Sequence, residues 1–400
     1  MRDTDVETHG TSLAGKHILV GISGGIAAVD SVRIARELRR HGATLSVCMT
    51  NSAQKIITPL ALSWATQGEI ITDWDGDMGQ LSHFDAVLVC PATRNLLACH
   101  LHGIISSPLL MALSAARGNN TPLIFVPSMH ADLAEDPVTS EITDSLLTQG
   151  AHVIWGVEEE GKRKTVEHTQ IVAELAHVVN SLQPERKSAV ITLGATRSAL
   201  DDVRYIQNTS SGETGWGIAV ELYRHGHDVT VVAGVTTCKS EIDLPLVIIS
   251  PSPEQMLLEL KALAGDDIDC WIHSAAVLDY VVDKPVEGKI ASLQGELELT
   301  LVEGEKHIRE LRELTNGATR IGFKLECGVK IHDLIHRALA LLKGAELDAV
   351  IANRLEDLDD PNKPRAHLVD STGEHWALND HQELVNAVRV LVEANDTKGH

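Results

Sequence analysis

The densest run of residues able to do chemistry is TLGATRSALDDVRYIQNTSSGETGWGIAVELYRHG at 192–226. A glycine-containing turn follows an apolar strand, and a second polar loop, Asn208-Thr209-Ser210-Ser211-Gly212, runs into the start of a helix. Hydroxyls and backbone N–H groups at a helix start make an anion site that needs no basic side chain. The same residues suit a Ser/Thr N-cap beside a glycine turn, and taken alone they favour that reading over an anion site. Downstream, SAAVLDY at 274–280 follows a buried strand and carries Asp279, and ten residues on stands Lys289 in GKI. A carboxylate suited to a hydrogen-bonded or magnesium-bound ligand, close to a phosphate-seeking ammonium, is chemistry of the nucleotide kind.

A second constellation lies near the N-terminus, in GISGGIAA at 21–28. Its spacing is not GxGxxG, and the next strand ends in Met49-Thr50-Asn51 instead of an acidic residue for an adenine-ribose diol, which counts against NAD. The glycine-rich turn still offers backbone N–H groups to one phosphate, and Ser23 and Thr50 stand at strand ends where ligands collect in such sheets. A mononucleotide such as FMN fits this arrangement better, although a tight turn with no ligand uses the same residues. Six cysteines (Cys48, Cys90, Cys99, Cys238, Cys270 and Cys327) form no CxxC pair, so neither a disulfide framework nor a Cys-rich zinc site is expected. No set of metal ligands stands out.

These residues need a scaffold that brings strand ends together. HILVGI at 17–22, TLSVCMT at 44–50, DAVLVCPAT at 85–93, TPLIFVPSM at 121–129 and HVIWGV at 152–157 are continuous apolar runs separated by helical periodicity. Strands without alternation are buried on both faces, which predicts a parallel, doubly wound α/β sheet. From about 158 the chain turns charged and strands are expected to cease, before a helix over about 168–181 and the polar linker QPERKS at 183–188. A second series begins at AVITLGATRS (189–198) and continues through DVTVVAG, LVIIS, CWIHSAAV, RIGFK and DAVIAN. The sequence therefore predicts two doubly wound domains with mainly parallel sheets, over 16–182 and 188–395. The first is flavoprotein-like and the second Rossmann-like.

In the first half GISGGIAA, MTNSA at 49–53, PATRN at 91–95, HG at 102–103 and PSM at 127–129 resemble, in order, the flavin-containing cysteine decarboxylase family. The resemblance implies that Ser23, Gly24, Gly25, Thr50, Pro91, Ala92 and Thr93 line FMN, with a neighbouring subunit completing the site and trimers as the assembly. The chain departs from that family at three places. Met78-Gly79-Gln80 lacks the family's catalytic His, with His83 nearby; Pro127-Ser128-Met129-His130 loses an Asn; and no Cys stands between Cys99 and Cys238, the flap region reading EEEGKRKTVEH. The expectation is slow or absent flavin-linked decarboxylation unless His83 or His130 takes over the proton chemistry.

In the second half GATR, D-x-VR-x-I-x-N-x-SSG, AAV-x-DY, KI, GF and AN resemble the ligase half of the bifunctional phosphopantothenoylcysteine decarboxylase and phosphopantothenate cysteine ligase family of coenzyme A biosynthesis. The order of the halves matches that family too. The resemblance implies CTP-dependent joining of 4'-phosphopantothenate to cysteine through an acyl-cytidylate, with Mg2+, and a ligase-domain dimer. It assigns Asn208 to the acyl-nucleotide, Asp279 to the nucleotide and Lys289 to the triphosphate. Ser210, Ser211, Gly212, Ala275, Ala276, Phe323 and Asn353 are expected around the same pocket. Lys343 matches a phosphate-side lysine, with Arg337 a competitor for a neighbouring basic position. The family's Lys-Asn-Pro-Asp segment is here Glu303-Gly304-Glu305-Lys306.

Two other readings stay open: a ligase with a flavin-binding or oligomerising scaffold, and a non-enzymatic binding module, against which the joint retention of Asn208, Asp279 and Lys289 argues. Composition narrows the partners to small molecules. Thirty-four Lys plus Arg against 56 Asp plus Glu leave a net charge of -22, which disfavours a duplex nucleic-acid or anionic-membrane binder. No apolar run approaches 18 residues and residues 1–15 are polar, so neither a membrane span nor a secretory signal is expected, and the location predicted is cytoplasmic.

Overall fold

The computed structural model describes residues 3–74, 78–156, 158–159, 162–163, 166–292, 295–358 and 360–394. The chain divides into two units, one of residues 1–182 with 224–226 and the other of 183–223 with 227–400.

In the first unit the apolar runs form β1 (His17–Ile22), β2 (Thr44–Met49), β3 (Ile70–Ile71), β4 (Ala86–Ala92), β5 (Leu123–Pro127) and β6 (His152–Val153). All are parallel, in the order β3-β2-β1-β4-β5-β6. The order reverses between β1 and β4, and such a switch point opens a crevice at the carboxyl ends of the strands. The helices are α1 (Ser31–Arg40), α2 (Pro59–Thr66), α3 (Arg94–Leu101), α4 (Pro108–Gly118), α5 (Ala131–Ala134), α6 (Pro137–Thr148) and α7 (His168–Asn180). Alternate strand residues face opposite layers. Ile18, Val20, Val47 and Leu88 pack with Ile34, Leu38 and Ile171 on one side, while Leu19, Val87, Val89 and Phe125 pack with Leu97, Leu109 and Ile142 on the other. Three helix starts share one local device, a capping oxygen followed by proline: Thr58-Pro59, Ser107-Pro108 and Asp136-Pro137. The oxygen takes an orphan N–H, and proline fills the first helical position, where its missing N–H costs nothing.

Where the charged run at 158 predicts that strands cease, the backbone instead forms a short antiparallel pair, β7 (Glu158–Glu159) and β8 (Lys162–Arg163). Antiparallel backbone pairing needs no apolar pattern, so hydropathy misses it. Part of EEEGKRKTVEH, residues 160–161 and 164–165, lies outside the described residues.

The second unit runs through β9 (Ser188–Leu193), β10 (Arg197–Ala199), β11 (Tyr205–Gln207), α8 (Glu213–Arg224), β12 (Asp228–Ala233), β13 (Val247–Ile249), α9 (Pro253–Leu263) and β14 (Cys270–His273). It continues through β15 (Tyr280–Val282), β16 (Leu301–Glu303), α10 (His307–Glu310), β17 (Thr319–Glu326), α11 (Ile331–Ala345), β18 (Ala349–Arg354), β19 (Ala366–Asp370), β20 (His375–Leu378) and α12 (His381–Glu393). Its main sheet has the order β13-β12-β9-β14-β17-β18-β19-β20. The strands from β13 to β18 are parallel, and β19 and β20 extend that edge antiparallel. The reversal falls between β9 and β14, so this sheet too has its crevice beside its first strand. Two small antiparallel pairs, β10–β11 and β15–β16, carry the polar loops. Among the described residues no helix is long and apolar enough to cross a membrane.

Candidate functional site

The first-unit crevice is a cleft of about 440 Å3 beyond β1, β2 and β4. Of the residues expected there, Ser23, Gly24, Thr50 and Thr93 line it. Ser23 is buried and its hydroxyl is committed: it donates to the Pro91 carbonyl at 2.8 Å and accepts from the Thr93 N–H at 2.8 Å. It therefore joins the β1 loop to β4 across the switch point and sets Thr93, instead of offering its proton to a ligand. Thr93 precedes α3 without a side-chain capping bond, so the first N–H groups of an eight-residue helix face the crevice end uncapped by it. Thr50 accepts from the Ala53 N–H at 3.2 Å. Gly24 is required by close approach, since a Cβ there would stand 2.3 Å from Ser52 Cβ. Pro91 and Ala92 are buried in β4, and Gly25 sits against the Pro91 ring. Sequence reasoning missed Asp73, Trp74, Ser106 and Ser107 on this cleft. Asn51, Ser52 and Asn95 were within reach, because MTNSA and PATRN contain them. Ser106 and Ser107 carry no signal beyond a helix start.

Two of the three places at which the decarboxylase resemblance breaks, Gln80 and His130, are accounted for locally, while the flap region lies partly outside the described residues. Gln80 is 1% exposed, with Nε2 at 3.2 Å from Met78 Sδ and 3.7 Å from Met111 Sδ. Its Oε1 has no hydrogen-bond partner. His83 is exposed. His130 caps α5, accepting from the Asp132 N–H at 3.4 Å, and lies 3.2 Å from the Asp132 carboxylate.

In the second unit, the loops after β9, β12 and β14 interlock. Ala195 and Val235 exchange backbone bonds of 2.8 and 2.7 Å, Thr196 N–H donates to Ala276 O at 3.1 Å, and Ala276 N–H to Gly194 O at 2.8 Å. Gly194 (φ +76°) and Gly212 (φ +84°) have the left-handed backbone this needs, and a Cβ on either would collide with Thr236 Cγ2. Asn208 donates from Nδ2 to Ala276 O at 3.1 Å, which ties the 208–212 loop to the loop after β14. Ser211 Oγ accepts from the Glu213 N–H at 3.2 Å, so one expected anion ligand serves as a helix-start cap.

Beside this junction is a smaller cavity of about 200 Å3. Ala275, Asp279 and Phe323 line it, as do His273, Lys306 and His307. Asp279 is not a free carboxylate: Lys306 Nζ donates to its Oδ1 at 2.7 Å, and Gly304 N–H holds its backbone carbonyl at 2.9 Å. Lys306, which the sequence shows merely as a replaced motif position, is thus part of the site. His273 ends β14, registered with Thr192 on β9 and Gly322 on β17. A histidine at the end of an apolar strand gives no sequence signal, because most such residues are ordinary core.

Lys289 is exposed on the long β15–β16 loop, outside this cavity's lining. Its backbone flanks are clamped: Gly288 N–H donates to Asp202 Oδ2 at 3.1 Å and Ile290 N–H to Asp201 Oδ2 at 3.0 Å. Asp201 also accepts from the Val203 and Arg204 N–H groups, and these bonds, led by that from Ile290, hold its carboxyl down to about 2. Lys343 is exposed in the last turn of α11, two residues beyond Leu341, which lines the cavity while Lys343 does not. Arg337 pairs with Glu326. Asn353 lies near the end of β18, registered with Leu325. Ser210 is half-buried in the 208–212 loop. Among the described residues no group of three or more His, Cys, Asp or Glu is placed to hold a metal ion.

Comparison with known proteins agrees with this two-unit layout. The family model described as Flavoprotein matches residues 6–180, and that described as DNA/pantothenate metabolism flavoprotein C-terminal domain matches 185–395. The chain is 34% identical over 357 residues to the coenzyme A biosynthesis bifunctional protein CoaBC of Thermococcus kodakarensis, covering 87% of this chain and 88% of that protein. It is 31% identical over 350 residues to the protein of the same name from Methanocaldococcus jannaschii, covering 86% and 84%. Among solved structures, the DNA/pantothenate metabolism flavoprotein from Streptococcus pneumoniae aligns with a TM-score of 0.47 at 25% identity, over 52% of this chain and 99% of that one. With both halves matched in order and along most of its length, the chain belongs to the family of coenzyme A biosynthesis bifunctional proteins CoaBC.

Proposed function

We propose that the chain makes coenzyme A precursors in two steps, with ligation in residues 188–395 and decarboxylation in residues 16–182. In the first step the carboxylate of 4'-phosphopantothenate attacks the α-phosphorus of CTP and pyrophosphate leaves. The amine of cysteine then attacks the acyl carbon, forming the amide, releasing CMP and losing a proton. The observation that carries this reading is the gathering of Ala275, Asp279 and Phe323 around one cavity, bonded through Ala276 to the Asn208 loop. Asn208 holds the acyl-nucleotide, and Lys289, on the loop clamped by Asp201 and Asp202, offsets charge developing on the transferring phosphoryl group. Magnesium enters on the triphosphate, since Mg2+ takes most of its ligands from phosphates and water when the protein offers no carboxylate cage.

The first-unit cleft suits FMN: hydroxyl and amide side chains, the start of α3 and the Trp74 ring surround a space at the switch point. Bound there, a flavin would take two electrons from a cysteinyl thiol, making loss of the adjacent carboxylate feasible, and would return them to the ene-thiol that remains. Gly24, Thr50 and Thr93 hold it, and Ser23 fixes the two loops. Self-association of this unit is supported by Ile26 and Leu60, apolar side chains 78% and 79% exposed. The reading is of a cytoplasmic homo-oligomer, trimeric through the first unit and dimeric through the second.

The test is incubation of the full chain with 4'-phosphopantothenate, cysteine and each nucleoside triphosphate in turn, with products weighed by mass spectrometry. Amide, CMP and pyrophosphate in equal amounts are expected with CTP. Absence of amide with every triphosphate overturns the ligase reading.

A further inference from the structure

Lys289 stands on the connection from β15 to β16, residues 283–300, which has no regular structure of its own among the described residues. A loop of that length holds a side chain in one place only where something outside it fixes the backbone. Among the described residues, every hydrogen bond that ties 286–290 to the rest of the unit goes to one short turn, 200–204, between β10 and β11. Val286 N–H donates to Leu200 O at 2.9 Å, Asp202 N–H to Gly288 O at 3.0 Å, and Arg204 Nη1 to Ile290 O at 3.3 Å. The bonds from Gly288 to Asp202 and from Ile290 to Asp201 complete the set, so both neighbours of Lys289 are held from the same turn.

Asp201 is the centre of that turn, with a fully buried side chain whose two oxygens do different things. Oδ1 accepts from the Val203 and Arg204 N–H groups at 2.8 and 2.6 Å and closes the turn on itself. Oδ2 accepts from Arg204 Nη1 at 2.5 Å and from the Ile290 N–H at 3.0 Å, and so reaches the Lys289 loop. A turn cap needs only Oδ1. Donors on both sides require an acceptor at both ends, which an ionised carboxylate has and the isosteric amide lacks. On its other side the turn runs through β11 into Asn208, whose Nδ2 donates to Ala276 O at 3.1 Å. One hairpin therefore leads into Asn208 at its base and secures the backbone beside Lys289 at its tip.

We propose that Asp201 is a positioning residue of the ligation: through Oδ2 it fixes the backbone at Ile290 and so sets where the Lys289 ammonium stands relative to Asn208. Asp201 touches no substrate and acts through Lys289. The inference rests on the role given to Lys289 above and adds what that role depends on. A charge is worth most in a transition state when it is already in place, and misplacement by about 1 Å can cost up to roughly 100-fold in rate.

The experiment measures ligation by the full chain, with CTP, 4'-phosphopantothenate and cysteine, in the wild type, Asp201→Asn, Lys289→Gln and the double variant. Asparagine keeps an acceptor for the turn but presents an amide N–H to Ile290 and Arg204, so it breaks the Oδ2 bonds selectively. Asp201→Asn is expected to lower kcat roughly tenfold. When Lys289 is already Gln the further loss is expected to be less than about twofold, because the effect passes through that side chain. Trypsin is expected to cut after Lys289 faster in Asp201→Asn than in the wild type, read by the masses of the fragments. Asp202→Ala removes only the exposed acceptor for Gly288, gives the same pattern with a smaller loss, and carries the test should Asp201→Asn not fold. An equal loss with and without Lys289 marks a residue that merely holds the fold and overturns the positioning role. A wild-type rate in Asp201→Asn beside a slow Lys289→Gln overturns it too, as does unchanged cleavage after Lys289. A wild-type rate in Lys289→Gln refutes the role of Lys289 itself, and the positioning role falls with it.

Discussion

Gly24→Ala tests the geometry of the first-unit crevice more sharply than any polar substitution there. A Cβ at Gly24 would lie 2.3 Å from Ser52 Cβ, 3.2 Å from Ser52 C and 3.3 Å from Ser52 Cα. Two of the three atoms are main chain, so no rotamer change relieves the clash. Reaching the 3.4 Å of ordinary contact requires the loops after β1 and β2 to part by 1.1 Å. Overpacking of this kind costs about 1–3 kcal/mol, and it displaces Asn51 and Ser52, which line the cleft. Gly25→Ala is the matched control. Its Cβ would meet the Pro91 ring at 3.5 Å, and its φ of -95° suits any residue, so a change of zero to about +1 kcal/mol is expected from the lost freedom of the unfolded chain. Urea unfolding gives the stabilities, and visible absorbance after gel filtration gives FMN uptake. Gly24→Ala should unfold at lower urea and retain little flavin, while Gly25→Ala should unfold near the wild type. Equal stability and equal flavin uptake in Gly24→Ala would refute the close approach of the two loops and its part in shaping the site.

Lys289→Gln should lower ligation turnover at least tenfold, about 1.4 kcal/mol in the barrier, with an unchanged melting temperature because the side chain is exposed; an unaltered rate removes Lys289 from the chemistry. The second unit should also lose stability in acid. The buried imidazoles of His273 and His307 sit below the ordinary 6.5, at about 3 and about 4, so the unfolded chain takes up protons first as pH falls through 6.5. Their contribution is full above pH 6.5 and declines down to about pH 4 for His307 and about pH 3 for His273, and His307→Leu should flatten urea midpoints between pH 6.5 and about 4; parallel slopes for both proteins contradict the burial argument. With the ligase product supplied anaerobically, carbon dioxide and 4'-phosphopantetheine should form slowly, and His83→Ala and His130→Ala should not change the rate, since one ring is exposed and the other caps α5. A rate abolished by either variant would place that imidazole in the decarboxylation.

Much of the architecture was legible in the sequence because its cause is local. Continuous runs such as HILVGI and AVITL can be buried on both faces only inside a parallel sheet, and such strands need helical crossovers, so two doubly wound sheets follow from hydropathy. The helix starts at Thr58-Pro59 and Ser107-Pro108 are equally local. The antiparallel edge β19–β20 and the pairs β10–β11 and β15–β16 were not legible, since strands of three to five residues with mixed exposure carry little periodicity. At the sites, residue type and order nominated Asn208, Asp279 and Lys289, but not what each touches. Tertiary structure decided that Ser23 spends its hydroxyl between Pro91 and Thr93, that Lys306 occupies Asp279, and that Asp201 and Asp202 clamp the loop bearing Lys289. It also decided that His273 and His307, 34 positions apart, face one cavity. Hydropathy records whether a side chain prefers burial, whereas hydrogen-bond satisfaction depends on which distant atoms the crossovers bring within about 3 Å, and that distance exists only in the folded chain.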